Sequence, residues 1–429
     1  MSAVYRLAAA AAAPALRVLL NARTRAGKED PARIRERFGA ASVPRPPGPL
    51  LWLHAASNGE ARSALGIVQR ALALRPDLHV LFTTFTLTAA RMLADALPPR
   101  AMHQFVPLDV PAWVDRFLDH WRPDAALWIE GELWPNLIAR TAARGIPMAL
   151  VNARISDASF RRWQSAGRLF RPPLDAFEVC LAQSQADAGR LATLGARAPQ
   201  FLGHLKFDGN ELPADPDALR ALAEAIGSRP VWLAASTHPG EEEIVIAAHK
   251  ILASAHRSLL TILVPRHARR GDDVAALLAA ARLDVARRSK GEDITGTSAV
   301  YLADTMGELG LFYRLARIAF VGASLVPKGG QNPLEAAQLG CALAFGPHMT
   351  NCRDIADALL AAGAAGEVHD AASLAAHVST LLRDDDARRR AGAAALGVAA
   401  QGRGATERVM AALAPLFARL PHGDSHARA

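Results

Sequence analysis

From residue 49 onward, short and almost wholly apolar runs alternate with stretches that carry the apolar periodicity of a helix. A strand that is apolar throughout must be covered on both faces, which is typical of a parallel sheet packed between layers of helices. The runs occupy residues 50–55, 79–84, 125–130, 148–152 and 178–182, and then 231–235, 259–264, 299–302, 318–322 and 342–345. The alternation predicts an α/β fold with two doubly wound sheets in tandem and helices, such as 60–74 and 113–121, between the strands.

A polar, proline-containing segment at residues 208–216 separates the two alternating halves and is interpreted as a linker. We therefore predict an N-terminal segment at 1–40, a first domain at 41–210, and a second domain with C-terminal helices at 211–429. Ligands of doubly wound sheets bind beyond the carboxyl ends of the strands. The functional residues are expected directly after strands, in a cleft between the domains.

The positive charge is concentrated near the N-terminus. Lys and Arg exceed Asp and Glu by eight in the chain, and residues 1–40 hold eight basic residues against three acidic ones. Such a local charge favours an anionic membrane surface or a phosphorylated partner. Nucleic acid would require a basic stripe with interleaved aromatic residues, and aromatic residues are only 6% of the chain. No nucleic-acid partner is predicted.

The apolar run at residues 7–16 lies between Arg6 and Arg17 and contains Pro14, so it is too short to span a bilayer as a helix. We predict that this segment lies in the membrane interface with its arginines on the lipid headgroups. A signal peptide and an ordinary first helix packed on the domain are the alternatives. The side chains expected to insert are those of Leu16, Val18, Leu19 and Leu20.

Neither the cysteines nor the histidines have the spacing of metal ligands. Cys180, Cys341 and Cys352 form no C-x-x-C pair, which favours a reducing compartment and a role as small buried side chains. The acidic run at 384–386 is followed by arginines at 388–390, and it is interpreted as an exposed helix junction. No metal and no cofactor are predicted.

In the first half, carboxylates follow two strands. Glu60 stands at the start of a helix, where it suits either the helix dipole or general-base catalysis. No G-x-G-x-x-G motif occupies this turn, which argues against NAD. Glu130 and Glu132 flank a glycine at the exit of an apolar strand, where charge is costly unless it is used or paired. Helix capping could account for Glu132, and it explains Glu130 less well. The basic segment at 152–162 fits either an anion site or a solvated loop.

In the second half, Ser236 and the helix start that follows it have the character of a phosphate cradle. Arg266 follows the next strand and could bind a phosphate or lie in solvent. Residues 304–310 and 328–335 are glycine-containing transitions from loop to helix. Asn332, Pro333 and Glu335 also satisfy a purely structural pattern of N-cap, first-turn proline and third-position glutamate.

Together these segments resemble the Kdo transferases, because eight motifs occur in that family's order and spacing over roughly residues 30–365. The motifs are SNGE (57–60), EGELWPN (130–136), VNARIS (151–156), GHLKFD (203–208), ASTHPGEEE (235–243), VPRH (264–267), DTMGELG (304–310) and SLVPKGGQNPLE (324–335). The resemblance implies a GT-B fold, with two Rossmann-like domains facing across a cleft.

The resemblance also implies an activity. It is the transfer of 3-deoxy-D-manno-octulosonic acid (Kdo) from CMP-Kdo to a lipid A precursor, lipid IVA, in lipopolysaccharide biosynthesis. The transfer inverts the anomeric centre, needs no metal or other cofactor, and takes place at the cytoplasmic face of the inner membrane.

Carried onto this sequence, the resemblance implies that Glu60 is the general base and that Glu130 and Lys206 stabilise the transition state. The implied CMP-binding residues are Pro265, Arg266, Met306, Gly307, Glu308, Asn332, Pro333, Leu334 and Glu335, and Ser236 and Glu132 are added as further substrate-binding candidates. The sequence departs from the family pattern at Asn58, where a small apolar residue is common, and at Gln331, where histidine is usual. Glutamine keeps hydrogen-bonding capacity but carries no charge.

Two other functions remain open from the sequence alone. One is a GT-B transferase or epimerase that acts on a UDP-sugar, which a comparison of CMP and UDP binding would distinguish. The other is a non-catalytic nucleotide-sugar binder at the membrane, against which the acids Glu60 and Glu130 and the base Lys206 argue.

Overall fold

The computed structural model describes residues 3–165, 173–208 and 211–422. The described residues form two compact units, one from 1–209 together with 404–429 and the other from 210–403. The first division falls inside the segment interpreted as a linker. The second corrects the sequence analysis, which placed everything after residue 211 in the second domain. The helix Ala405–Phe417 belongs to the first unit because Val409, Leu413 and Leu416 are buried in its core.

The first unit is built on a seven-stranded parallel sheet with the order β3-β2-β1-β4-β5-β6-β7. The strands are β1 (Leu50–His54), β2 (His79–Thr84), β3 (Ala101–Phe105), β4 (Ala125–Ile129), β5 (Met148–Ala153), β6 (Val179–Ala182) and β7 (Gln200–Phe201). Every residue of β1, β4 and β5 is buried, as the continuous apolar runs predict.

Helices cover both faces of this sheet. They are α1 (Ala3–Ala11), α2 (Ala13–Arg25), α3 (Asn58–Leu74), α4 (Leu87–Ala96), α5 (Pro111–Trp121), α6 (Pro135–Ala143), α7 (Asp157–Ser165) and α8 (Gln185–Thr193), with Ala405–Phe417 at the end of the unit. Leu51 and Leu53 point to a core shared with α3, α4 and the last of these helices. Trp52 and Trp128 point to the opposite core, which α5, α6 and α8 cover.

The second unit repeats the design with the strand order β10-β11-β9-β8-β12-β13-β14. Its strands are β8 (Val231–Thr237), β9 (Leu260–Pro265), β10 (Val285–Arg287), β11 (Val300–Leu302), β12 (Ile318–Val321), β13 (Ala342–Phe345) and β14 (Ala365–Glu367). Its helices are α9 (Pro216–Ile226), α10 (Glu241–Ala255), α11 (Gly271–Ala280), α12 (Leu309–Ala316), α13 (Leu334–Ala337), α14 (Arg353–Ala361), α15 (Ala371–Arg383) and α16 (Asp385–Gln401). The predicted α/β fold class is confirmed.

The ten inner strands were predicted, and the four strands that were missed are the edges of the two sheets: β3, β7, β10 and β14. An edge strand has a neighbour on one side only and is partly exposed, so it carries no continuous apolar run. The two residues of β7, for instance, are both exposed. The continuous apolar run that identifies an inner strand is therefore missing from edge strands.

The N-terminal helices pack on the first unit by one face. Leu20 is buried against Leu108, Val110 and Trp113, and Leu16 packs at the rim of the same cluster. The predicted insertion of Leu16 and Leu20 is therefore wrong, because these side chains are used inside the protein. The large apolar side chains that α1 and α2 expose are Val4, Leu7, Val18 and Leu19.

In the described part of the chain, no helix is by itself long and apolar enough to cross a membrane. Helices α1 and α2 meet such a criterion of length and composition only as a pair, which bends by 51° between them.

Several of the N-terminal basic residues are used in a buried network. Arg37 is 1% exposed and binds Glu29, with its Nη2 2.9 Å from Oε2. Arg23 binds the other oxygen of Glu29 at 2.7 Å, and Arg33 binds Glu36 at 2.9 Å. The basic residues of this region with no acidic partner among the described residues are Arg6, Arg17, Arg25, Lys28 and Arg35.

Candidate active site

Glu60 lies in the first turn of α3, directly beyond the carboxyl end of β1, and it folds back over the start of its own helix. The hydroxyl of Ser57 donates to Oε1 of Glu60 at 2.8 Å, and the Ala56 N–H donates to Oε2 at 2.8 Å. Ser57 in turn accepts the Glu60 N–H at 3.4 Å. Ser57 is the N-cap of α3, and the Glu60 carboxylate reaches back to Ser57 and to the residue before it, so Glu60 has a structural role at its helix start.

A second property of Glu60 goes beyond capping. Burial and the nearby Glu130 carboxylate raise the pKa of Glu60 to about 7, against the opposing hydrogen bonds from Ser57 and Ala56. Glu132 adds to the increase. A carboxylate whose pKa lies near neutrality can both accept and release a proton under physiological conditions, as a general base requires.

Glu130 directly follows β4 and has left-handed backbone, with φ of 63°. Its N–H donates to the Val151 carbonyl at 3.0 Å, and its Oε1 accepts from Nδ2 of Asn152 at 3.3 Å. A Cβ atom at Gly131 would lie 2.8 Å from the Arg154 carbonyl oxygen, so the turn after Glu130 requires glycine. The Glu130 carboxylate is thus held at the ends of β4 and β5.

Glu132 is exposed and lies near enough to influence Glu60. Lys206 falls in the 3-10 helix Leu205–Asp208, and its side chain lies outside what the structure describes. The backbone around it is held at both ends: the Leu205 N–H donates to Asn152 at 3.3 Å, and Asp208 accepts the Gly404 N–H at 2.6 Å.

The structure also shows groups that the sequence analysis missed. Side-chain polar atoms that are buried and have no partner among the described residues include His54 Nε2, Asn58 Oδ1, Trp128 Nε1 and Asn136 Oδ1. All four belong to the segments 54–60 and 128–136, which carry the predicted acids. Buried polar groups without partners mark places where a ligand or water completes the hydrogen bonds. A sequence signal for Asn58 existed, since it departs from the family pattern.

Asp109 is another residue that sequence reasoning missed. Its carboxylate accepts the N–H groups of Asn136 at 3.0 Å and Leu137 at 2.8 Å, and the hydroxyl of Tyr5 at 2.9 Å. Burial raises the pKa of Asp109. This residue holds the start of α6, and it links helix α1 to the segment that carries Glu130 and Glu132.

In the second unit, the acids of α10 bind the loop that leads into the helix from β8, where the sequence predicts a phosphate cradle. Glu241 accepts the His238 N–H at 2.9 Å, and Glu243 accepts the Gly240 N–H at 3.1 Å, so two donors of the loop that leads into α10 are used by the helix's own acids. Glu241 is fully buried and also binds the loop after β12 through the N–H groups of Ala323, Ser324 and Leu325. Ser236 lies beside this turn with a φ of 58°.

Positive side chains surround this turn. Burial and the Arg266 guanidinium lower the pKa of His238, and Lys328 and Arg270 act in the same direction. Arg270 is paired with the buried Glu242 at 2.5 Å. Arg266 and Lys328 have no acidic partner among the described residues. Two unpaired cations beside a neutral histidine suit a phosphate group.

The remaining candidates follow β9, β11 and β12. Pro265 ends β9 and is buried. Met306 is 66% exposed, and Gly307 has a φ of 88° with open space where a side chain would be. Glu308 binds Arg288 at 2.5 Å, and this guanidinium holds the pKa of Glu308 below its usual value. Glu308 is therefore already paired, whereas Met306 and Gly307 are accessible.

The segment at 331–335 comes close to the same turn. Gln331 Nε2 lies 3.4 Å from His238 Nε2. Asn332 Oδ1 accepts the Leu334 N–H at 3.2 Å, which ties the start of α13. Helix α13 is one turn long. Pro333 and Leu334 are buried, and Glu335 is partly exposed.

The groups near either set of candidate residues do not form a metal site. No group of three or more His, Cys, Asp or Glu side chains that could hold a metal ion occurs within residues 3–165, 173–208 and 211–422.

Comparisons with solved structures identify the class of this fold. A glycosyltransferase from Rickettsia africae ESF-5 superposes with a TM-score of 0.59 at 12% identity, covering 86% of this chain and 98% of its own. A UDP-GlcNAc 2-epimerase from Neisseria meningitidis gives a TM-score of 0.57 at 12% identity, covering 85% and 99%. These likenesses concern the fold alone. The two doubly wound units define a protein of the GT-B class.

Sequence similarity identifies the family within that class. Residues 32–209 match the family model described as 3-deoxy-D-manno-octulosonic-acid transferase (kdotransferase). The 3-deoxy-D-manno-octulosonic acid transferase of Bordetella pertussis is 39% identical over 424 residues, which cover 96% of this chain and 98% of that protein. The chain belongs to the Kdo transferase family and is a glycosyltransferase, as the motifs predicted.

Proposed function

We propose that this enzyme transfers Kdo from CMP-Kdo to a lipid A precursor, lipid IVA, with inversion at the anomeric carbon. The observation that carries the proposal is the Glu60 carboxylate, which is fixed by Ser57 and Ala56 and whose pKa is raised to about 7. Family membership supports Kdo as the transferred sugar.

In the proposed reaction, Glu60 takes the proton of an acceptor hydroxyl. The oxygen of that hydroxyl forms the new bond to the anomeric carbon of Kdo. The bond from that carbon to the CMP phosphate oxygen breaks, and its electron pair leaves with CMP. Attack from the face opposite the leaving group inverts the centre. Glu130 and Lys206 are assigned to stabilise the charge that develops at the sugar.

The leaving phosphate gains negative charge and needs fixed positive partners. Arg266 and Lys328 carry positive charge that no acid among the described residues neutralises, and Gln331 offers an amide beside His238. In this proposal those side chains do the work that a metal ion does in other transferases. Met306 and Gly307 contact the nucleotide, together with Pro265, Ser236 and the segment Asn332–Glu335.

The lipid acceptor places the enzyme at a membrane, and the proposed location is the cytoplasmic face of the inner membrane. The support is the exposed apolar set of Val4, Leu7, Val18 and Leu19, together with basic residues such as Arg25 that have no acidic partner among the described residues. This arrangement fits an interfacial helix pair on an anionic surface.

The test of the general base is Glu60→Gln, which keeps the size of the side chain and removes its basicity. Turnover of CMP-Kdo with lipid IVA, followed by mass spectrometry of the lipid, should fall about 100-fold or more, because general bases contribute that much. Binding of CMP should be unchanged.

Glu243→Gln is the matched control, since Glu243 also caps its helix from the third position, is exposed, and is given no part in the reaction. It should leave turnover near that of the wild type. Equal turnover in the two variants would mean that Glu60 acts only as a cap, and the proposed mechanism would then be wrong.

A further inference from the structure

Asn152, the next-to-last residue of β5, has a conformation and a burial that call for an explanation. Its side chain lies in the protein interior, with 2% of the residue exposed, and its φ of 55° is left-handed. The pairing of β5 with β6 shifts register between Leu150 and Ala153, so the strand is irregular at this point. Among residues other than glycine, asparagine is one of the few that adopt this conformation, and such residues cluster at functional sites.

The carboxamide of Asn152 has one contact in each direction. Its Oδ1 accepts the N–H of Leu205 at 3.3 Å, and its Nδ2 donates to Oε1 of Glu130 at 3.3 Å. Since a backbone N–H can only donate, the oxygen of the carboxamide must face Leu205 and the NH2 must face Glu130. The orientation of the amide is therefore fixed by chemistry.

These two contacts connect Asn152 to Glu130 and to the backbone that carries Lys206. Glu130 is bound through its own carboxylate, and Leu205 directly precedes Lys206 in the 3-10 helix Leu205–Asp208. We infer that Asn152 is a positioning residue, which holds the Glu130 carboxylate and the backbone of Lys206 at a fixed separation. The inference rests on the proposed function, which assigns Glu130 and Lys206 to the transition state.

The Nδ2 donor also suits the acidic surroundings of Glu130. Glu60, Glu130 and Glu132 lie close enough together for their carboxylates to repel one another, as the raised pKa of Glu60 shows. A hydrogen bond to the ionised form favours that form. Asn152 thus presents an N–H donor to Glu130 on a side where other carboxylates are near.

The test is Asn152→Asp, which keeps the oxygen that accepts from Leu205 and replaces only the NH2 that faces Glu130. At pH 8 two carboxylates would face each other, and we expect turnover of CMP-Kdo to fall at least 10-fold while the Kd for CMP stays unchanged. As the pH falls, the introduced carboxyl gains a proton and can donate to Glu130 again. The ratio of variant to wild-type turnover should therefore rise toward one as the pH is lowered from 8 to 5.

A merely structural role makes a different prediction. Asn152→Ala and Asn152→Asp would then lose the same activity at every pH, and that result would overturn the inference, as would wild-type turnover in Asn152→Asp. The variant Glu130→Gln distinguishes a failure of the positioning role of Asn152 from a failure of the proposed function. If Glu130→Gln turns over normally, the role of Glu130 fails; if it is inactive while Asn152→Asp is normal, only the positioning role fails.

A double variant covers the case in which Asn152→Asp folds poorly. In Asn152→Asp combined with Glu130→Gln, the carboxylate and the amide exchange sides, so the hydrogen bond is restored with its direction reversed. The Tm should recover at least half of the loss seen in Asn152→Asp alone. No recovery would show that the two side chains are not coupled, and the inference would be rejected.

Discussion

At the scale of single residues, the site depends on carboxylates that are placed near one another at a cost. Glu60 satisfies the start of α3 and at the same time has its pKa raised by burial and by Glu130. Glu130 occupies a left-handed backbone conformation that disfavours ordinary side chains. Sites of catalysis commonly retain such unfavourable placements, because the same features that lower stability raise reactivity.

The pKa of Glu60 predicts two pH dependences. The base acts when ionised, so kcat/KM should rise with pH to a plateau through a pKa of about 7. The free energy of unfolding depends on pH in the opposite sense: the contribution of Glu60 falls as the pH rises. The folded-state pKa lies above the unfolded value of 4.5, so ionisation penalises the fold between pH 4.5 and 7 and fully above 7.

Unfolding of wild type and Glu60→Gln by urea at a series of pH values checks the second dependence. The glutamine variant should be the more stable above pH 7, by on the order of 1 kcal/mol after allowance for partial solvation. The difference should shrink toward pH 4.5. A constant difference would show that the Glu60 pKa is not raised in the folded state.

At the scale of elements, the inner strands and the starts of helices were accessible to sequence analysis because burial on both faces and capping leave local patterns. Edge strands left none. The phosphate cradle at α10 stays a prediction, and the pattern of a helix start did not show that Glu241 and Glu243 bind N–H groups of the loop before it. The link from Asn152 to Leu205 joins residues distant in sequence, and no local pattern predicts it.

Helices α1 and α2 support a prediction about the membrane. Replacing Leu7, Val18 and Leu19 together by serine removes exposed apolar side chains, each worth about 1.5–3 kcal/mol when fully buried in an apolar phase. Co-sedimentation with vesicles containing anionic phospholipid should weaken more than 10-fold. Leu74→Ser, at an exposed position of α3, is the control and should bind as the wild type does. Undiminished binding of the triple variant would exclude this face as the contact.

At the scale of the whole molecule, the two units differ in the number of chain segments that form them. The second unit is one continuous segment, whereas the first takes its last helix from beyond it. The linker at 208–216 left a compositional signal. The return at Gly404 left none, because a helix that covers the core of one unit has the same amphipathic pattern as a helix that covers the other.

Leu413→Ala tests this assignment. Leu413 is fully buried in the core of the first unit, so the substitution should destabilise that unit by about 2–5 kcal/mol. Scanning calorimetry should show a lowered transition that CMP does not raise, while a CMP-sensitive transition of the second unit stays in place. Leu396→Ala, at an exposed position of α16, should change neither. A shift confined to the CMP-sensitive transition would contradict the assignment.

The late return of the chain at Gly404 also has a consequence for synthesis on the ribosome. The apolar face of α3 that receives Leu413 and Leu416 emerges early, and its cover is translated only after the whole of 210–403. Leu413 follows the end of α3 at Leu74 by about 340 residues, so at roughly 5–20 residues per second that face waits on the order of twenty to seventy seconds without its native neighbour. During that interval the nascent chain exposes an apolar surface, and we expect a chaperone to bind there.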